Sequence, residues 1–153
     1  MERIKPDNER VLVESDISLK NAEFLNSLKE MFPAPIDWHV EYAIINYHLC
    51  IDTYCRGGSV YAMTEAGPKL IPLFNTPDKS VDAVVKANLS SEISVGSARV
   101  LSLLGVGGRN SDTSIMDNIL HSYDHMIRSK FDGHEIIVEQ SSGEKIPLQL
   151  LEF

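Results

Sequence analysis

Among residues able to do chemistry, Asp117, His121 and His125 stand out because they recur at i, i+4 and i+8 of one helical pattern. Two imidazoles one turn apart can both point at a single metal ion. A catalytic zinc also needs a third protein ligand and a nearby general base, and the familiar metalloprotease spacing sets Glu directly after the first His. Ser122 stands in that place. The pattern therefore reads first as a solvated helix face with no metal or cofactor, and second as a metal or general-base site.

The stretch Gly105-Val-Gly107-Gly108-Arg109-Asn110 has the glycine content of a phosphate-cradling loop, since backbone amides come close to an anion where no Cβ intrudes. It fails in detail. A dinucleotide fingerprint needs Gly or Ala where Asn110 stands, a P-loop needs Lys-Ser or Lys-Thr, and Asp112 would repel a phosphate at the following helix start. What survives is Arg109, which could grip a carboxylate or phosphate. Arg109, His121 and His125 form the candidate ligand-binding set, bordering one cleft if the glycine loop folds over the helix.

His39, His48, Cys50 and Cys55 match no recognised zinc spacing, and Cys is often simply a small buried residue. Cys50 and Cys55 are badly placed for a mutual disulfide and read as free thiols of a reducing compartment. There is no Gly-x-Ser-x-Gly elbow, paired-carboxylate signature or Cys-centred nucleophile motif, so no catalytic residue is assigned. Aromatic side chains gather in the first half of the chain, at Trp38, Tyr42, Tyr47, Tyr54 and Tyr61. Rings with polar tips suit cores and interfaces alike, which makes Trp38, Tyr42 and Tyr54 the candidate partner contacts.

The elements that would position these groups follow from periodicity. A loose arm should lead into a short strand around Val11, Leu12 and Val13. From Leu19 to Phe32, Ala22, Phe24, Leu25, Leu28, Met31 and Phe32 share one arc, which predicts an amphipathic helix ended by Pro33-Ala-Pro35. Between Trp38 and Cys55 the pattern is mixed: Val40, Ala43, Ile44 and Tyr47 fit a helix, while Tyr47, Leu49, Ile51 and Thr53 alternate. We expect a helix giving way to a strand near Asn46. That strand, a second at residues 60–63 and a third at residues 70–74 would make a three-stranded meander, with Pro72 requiring the third to lie at an edge or to face that position outward.

Thr76 and Pro77 form a cap and first turn for a helix over residues 77–89, burying Val81, Val84, Val85 and Leu89. Residues 95–104 read as a short helix closed by Gly105, and residues 105–114 as loop. The clearest helix runs from about Ser114 to Ser129, with Ile115, Met116, Ile119, Leu120, Tyr123, Met126 and Ile127 on one arc. Ile136-Ile-Val138 and Ile146 to Leu151 predict a closing hairpin around Ser141-Ser-Gly-Glu144.

At 153 residues, 43% hydrophobic and 24% charged, the chain has the size and composition of one soluble globular domain. No apolar run approaches the roughly 18 residues of a membrane span. The opening Met1-Glu-Arg-Ile-Lys-Pro-Asp lacks a signal-peptide core, which predicts a cytoplasmic protein. A net charge of −8 opposes binding to nucleic acid, whose affinity for proteins comes mainly from clustered Lys and Arg. It favours instead a basic protein partner meeting an acidic face.

The segment Leu70-Ile-Pro-Leu-Phe-Asn-Thr-Pro-Asp, with Ala83-Val84, resembles the part of the SseB family's N-terminal domain in which a strand ends in Phe-Thr-Ser before a helix. The closing Gly133-His-Glu-Ile-Ile-Val-Glu-Gln-Ser-Ser-Gly-Glu-Lys145 is similar to that family's later strand, turn and strand. The resemblance implies an α/β fold and a family without established catalysis, with no functional residues to carry over.

The expectation is an α+β domain spanning residues 1–153, a mainly antiparallel sheet of meander plus C-terminal hairpin covered by three or four helices. The leading functional expectation is a non-enzymatic interaction protein, immunity-type or accessory, that binds a basic protein partner; a homo-oligomer is left open. The rival is a small-molecule binder or enzyme built on Arg109, His121 and His125.

Overall fold

Alternation of exposed and half-buried side chains from Arg10 to Ser18 makes the first strand, and Ser18 turns the chain into a helix. In the computed structural model, which describes residues 9–73, 86–104 and 111–148, ten elements follow in order. They are β1 (Arg10–Ser18), α1 (Leu19–Met31), α2 (Ile36–Cys55), β2 (Ser59–Thr64), β3 (Gly67–Leu70), β4 (Lys86–Ser94), α3 (Val95–Leu104), α4 (Ser111–Phe131), β5 (Glu135–Glu139) and β6 (Lys145–Pro147). The fold is α+β, as its sequence predicts. The strands form two antiparallel sheets rather than one: a ribbon of β1 and β4, and a four-stranded sheet in the order β3-β2-β5-β6.

Helix α1 buries Phe24, Leu25 and Leu28, while Met31 at its end stays 47% exposed. The Ser18 hydroxyl caps it by accepting from the Asn21 amide. Helix α2 continues unbroken to Cys55, so no strand begins near Asn46 and no three-stranded meander exists. Its buried residues Val40, Ala43, Ile44, Tyr47, Cys50 and Thr53 keep helical spacing throughout. The competing alternation came from Leu49, which faces outward, and from Thr53, whose hydroxyl bonds back to the Leu49 carbonyl within the helix. The meander reduces to the β2–β3 hairpin, with β5 pairing on the other side of β2.

Strand β3 lies at a sheet edge, but it ends at Leu70, before Pro72. The helix expected over residues 77–89 is corrected at its end: residues 86–89 open β4, and residues 77–85 lie outside the described residues. Ala87, Leu89, Ser91 and Ile93 point alternately inward, so Leu89 starts a two-residue period instead of closing a helical one. Helix α4 begins at Ser111, shortening the expected loop, and its apolar arc from Met116 to Ile127 is buried. The closing hairpin is present as β5 and β6.

One apolar core joins these elements, with Leu28, Ile44, Tyr47, Ile93, Leu120, Tyr123 and Ile136 almost fully buried in it. At the exit of α2 the chain passes through Gly57, at φ +94°, into Gly58. A Cβ at Gly58 would collide with the Glu139 carbonyl and lie 2.7 Å from the Thr53 methyl. Glycine there lets the end of α2 press directly on β5.

Candidate functional site

The polar side of α4 is occupied by structural work. Asp117 is buried, and one of its carboxylate oxygens accepts from the Ser18 amide at 2.9 Å and the Asn21 side-chain amide at 2.8 Å. A carboxylate is thereby fixed at the N-terminus of α1, where the helix dipole favours negative charge. One turn on, the fully buried Ser122 hydroxyl donates to the Pro72 carbonyl at 2.6 Å, holding the segment that follows β3. Asp124, also buried, pairs with the exposed Arg128 at 2.8 Å. Asp117 and Ser122 thus brace neighbouring segments, while Asp124 pairs within its own helix.

His121 and His125 are half-buried with ring centroids 4.8 Å apart, in edge contact. Burial lowers the pKa of both, and so do nearby cations: Lys20 and Arg128 for both rings, and His121 in turn for His125. Asp117 and Asp124 pull His121 the other way, and Asp124 alone does so for His125. At neutral pH the pair is therefore two uncharged rings packed side by side. Arg109, the third member of the expected set, lies outside the described residues. Among the described residues no group of three or more His, Cys, Asp or Glu could hold a metal ion.

His39, His48, Cys50 and Cys55 all lie on α2 but do not converge. His39 is fully buried with Nε2 3.0 Å from the Phe32 carbonyl, which can only accept, so the proton sits on Nε2. Burial lowers its pKa. Cys50 is a buried thiol pushed up to about 12 by desolvation, and Cys55 is exposed; neither is in a disulfide. A thiol held so firmly protonated is chemically inert.

A different feature of α2 emerges at Trp38, Tyr42, Ile45 and Leu49. These residues recur at i, i+4, i+7 and i+11, an arc of about 60° on a helix of 3.6 residues per turn, opposite the core-facing side. Trp38 is 41% exposed, Ile45 51% and Leu49 42%, and the Trp38 and Tyr42 rings meet edge to face at 5.2 Å. Two of the three expected partner contacts thus stand together. Tyr54 is exposed too, but lies about 160° round the helix from Trp38 and does not join them.

Carboxylates border this face on one side. Asp37 accepts from the Ser91 hydroxyl and the Glu92 amide, and Glu41 accepts from Ser97 and pairs with Arg10 at 3.2 Å. Burial works to raise the pKa of Glu41, but hydrogen bonds from Ser94 and Ser97 and the charge of Arg10 outweigh it and hold it low. Asp52 pairs with Arg56 in the open. Ile45 and Leu49 are not among the expected partner contacts, Leu49 falling in the expected strand; the spacing 38, 42, 45, 49 was the available signal. Among the described residues no helix is long and apolar enough to cross a membrane. Comparison with protein-family models, curated proteins and solved structures gives no match to this chain.

Proposed function

We propose that this protein is a non-enzymatic interaction factor, immunity-type or accessory, that engages a basic protein partner in the cytoplasm. The apolar face of α2 is the centre of contact, and the surrounding acidity steers the partner. The observation that carries this reading is the exposure of Ile45 and Leu49, in one row with the 41% exposed Trp38 and the half-buried Tyr42, on a helix whose opposite side is core. A contiguous apolar strip rimmed by charged groups is what a protein contact uses, with Trp and Tyr the commonest energetic anchors. A surplus of 22 acidic over 14 basic residues supplies long-range attraction for a basic partner. The SseB-type resemblance belongs to the same proposal, because it points to a family without established catalysis.

The test is affinity capture from the native host with wild type and an Ile45→Gln/Leu49→Gln variant in parallel. Wild type should retain one stoichiometric basic protein that elutes as salt rises through the range where Debye screening shortens from about 8 to 3 Å. The variant should lose it. Equal retention by both chains, or no partner for either, ends the reading.

A further inference from the structure

The β1–β4 ribbon has two outer edges, and the molecule treats them differently. The Glu92 amide donates to Asp37 at 3.1 Å, so Glu92 and its partner Leu12 form a non-hydrogen-bonded pair whose backbone groups point outward. Alternation then sets the outward groups of β1 at Leu12, Glu14, Asp16 and Ser18. The Ser18 amide, donating to Asp117 rather than to β4, agrees with this phase. On β4 the outer edge is met by the start of α2 through Asp37, and Arg10 reaches round to the Glu92 carbonyl at 2.9 Å. On β1, helix α4 meets the outer edge at Ser18 through Asp117, and along Leu12, Glu14 and Asp16 no strand of the described residues pairs with it.

Beside β1 lies a groove of about 250 Å³ between the strand and helices α3 and α4. Its walls include Val13, Ala98, Leu101, Ile115 and Met116, with Ser102 supplying a hydroxyl and Glu14 a carboxylate. That volume is below the roughly 300–1,000 Å³ of small-molecule sites, so side chains fit it better than a free metabolite does. The inward face of β1, carrying Val13 and Ser15, borders this space. The outward face carries Leu12, Glu14 and Asp16, all exposed.

We infer that the outer edge of β1 is a docking site for an extended peptide segment in which basic residues alternate with small apolar ones. Such a segment adds a third strand to the ribbon, as in other strand-addition complexes: main-chain bonds to Leu12, Glu14 and Asp16 hold it, and alternate side chains give specificity. Its apolar residues enter the groove, and its Lys or Arg residues stand beside Glu14 and Asp16 as cross-strand ion pairs. The same two carboxylates turn away a second copy of this chain, because β1 against β1 would set acid beside acid. This surface is separate from the α2 face, so either can fail alone.

A blocked heptapeptide of alternating Lys and Val is the probe, compared with a Glu and Val version and with one N-methylated at the amides facing the strand. Backbone amide exchange of the full chain is followed by NMR. The Lys peptide should slow exchange at Leu12, Glu14 and Asp16 at least tenfold at saturation, while the other two peptides leave it unchanged. A Glu14→Lys/Asp16→Lys variant, altered only at exposed positions, should weaken binding at least tenfold. The inference is overturned if the Lys peptide leaves those three amides unprotected, if the Glu peptide protects them equally, or if raising protein concentration alone protects them.

Discussion

Helices α2 and α4 are nearly equal in length, at 20 and 21 residues, and both pack into the core, yet their remaining faces are opposites. Away from its apolar arc, α4 carries Asp117, Ser122 and Asp124, all buried and all bonded to other parts of the chain or to their own helix. Away from its core side, α2 leaves Ile45 and Leu49 about half in water, in one row with a partly exposed Trp38 and a Tyr42 that packs partly on the core. The polar side of α4, expected to be a solvated face, instead holds buried groups that brace the chain; on α2, Ile45 and Leu49 extend the exposed row begun by the expected contact Trp38. A buried polar group reports an internal contact, whereas an exposed apolar row reports a contact still to be made.

The contrast breaks most sharply at Asp117. Asp117→Ala leaves the Ser18 amide and the Asn21 side chain buried without their acceptor, at a cost of about 2–4 kcal/mol. Urea unfolding reads this as a lower midpoint at unchanged slope. Ser122→Ala removes the single bond to the Pro72 carbonyl and should cost about 1–2 kcal/mol. If either change leaves the midpoint where it was, the polar side of α4 is not a brace.

How far these roles were legible in the sequence depends on the distance over which each is decided. Helices α1 and α4 and the β5–β6 hairpin each carry one clean period, so local reading found them. Residues 46–55 satisfied both periods at Tyr47, and only packing against the rest of the core decides for helix. The strand character of residues 86–89 is fixed by pairing with residues 15–18, some seventy positions earlier. Asp117 reaches partners 96 and 99 residues away, so its spacing to the histidines was visible and its real contacts were not. Trp38 and Tyr42 were found by residue type; Ile45 and Leu49 were hidden because nothing local separates an exposed isoleucine from a buried one.

A gentler dependence follows from the imidazoles. His39, His121 and His125 all have a pKa below the ordinary 6.5, with burial the first cause in each. An imidazole whose folded pKa is depressed binds protons less readily folded than unfolded, so the unfolded chain takes up more protons from 6.5 down to the lowered value. Stability should be undiminished above pH 6.5, fall as pH drops through that window, and level off below it. Urea midpoints at pH 7.5, 6.5 and 5.5 check this, and a His121→Gln/His125→Gln variant should flatten the slope. An unchanged slope would place the effect on His39, on α2, and reverse the assignment between the helices.

The smallest effect is expected on the exposed apolar row of α2. Ile45→Gln and Leu49→Gln should each shift stability by no more than about 0.5 kcal/mol, because roughly half of each side chain is already in water and little burial is lost. Trp38, the sole tryptophan, sits on the same face and reports on it by fluorescence. Its emission should be that of a partly hydrated indole in wild type and barely change in either variant. A loss above about 1.5 kcal/mol, in the range of burying a whole aliphatic side chain, would mean that this face is already covered in the free protein. Helix α2 would then resemble α4, with both faces occupied, and the open apolar row would no longer separate them.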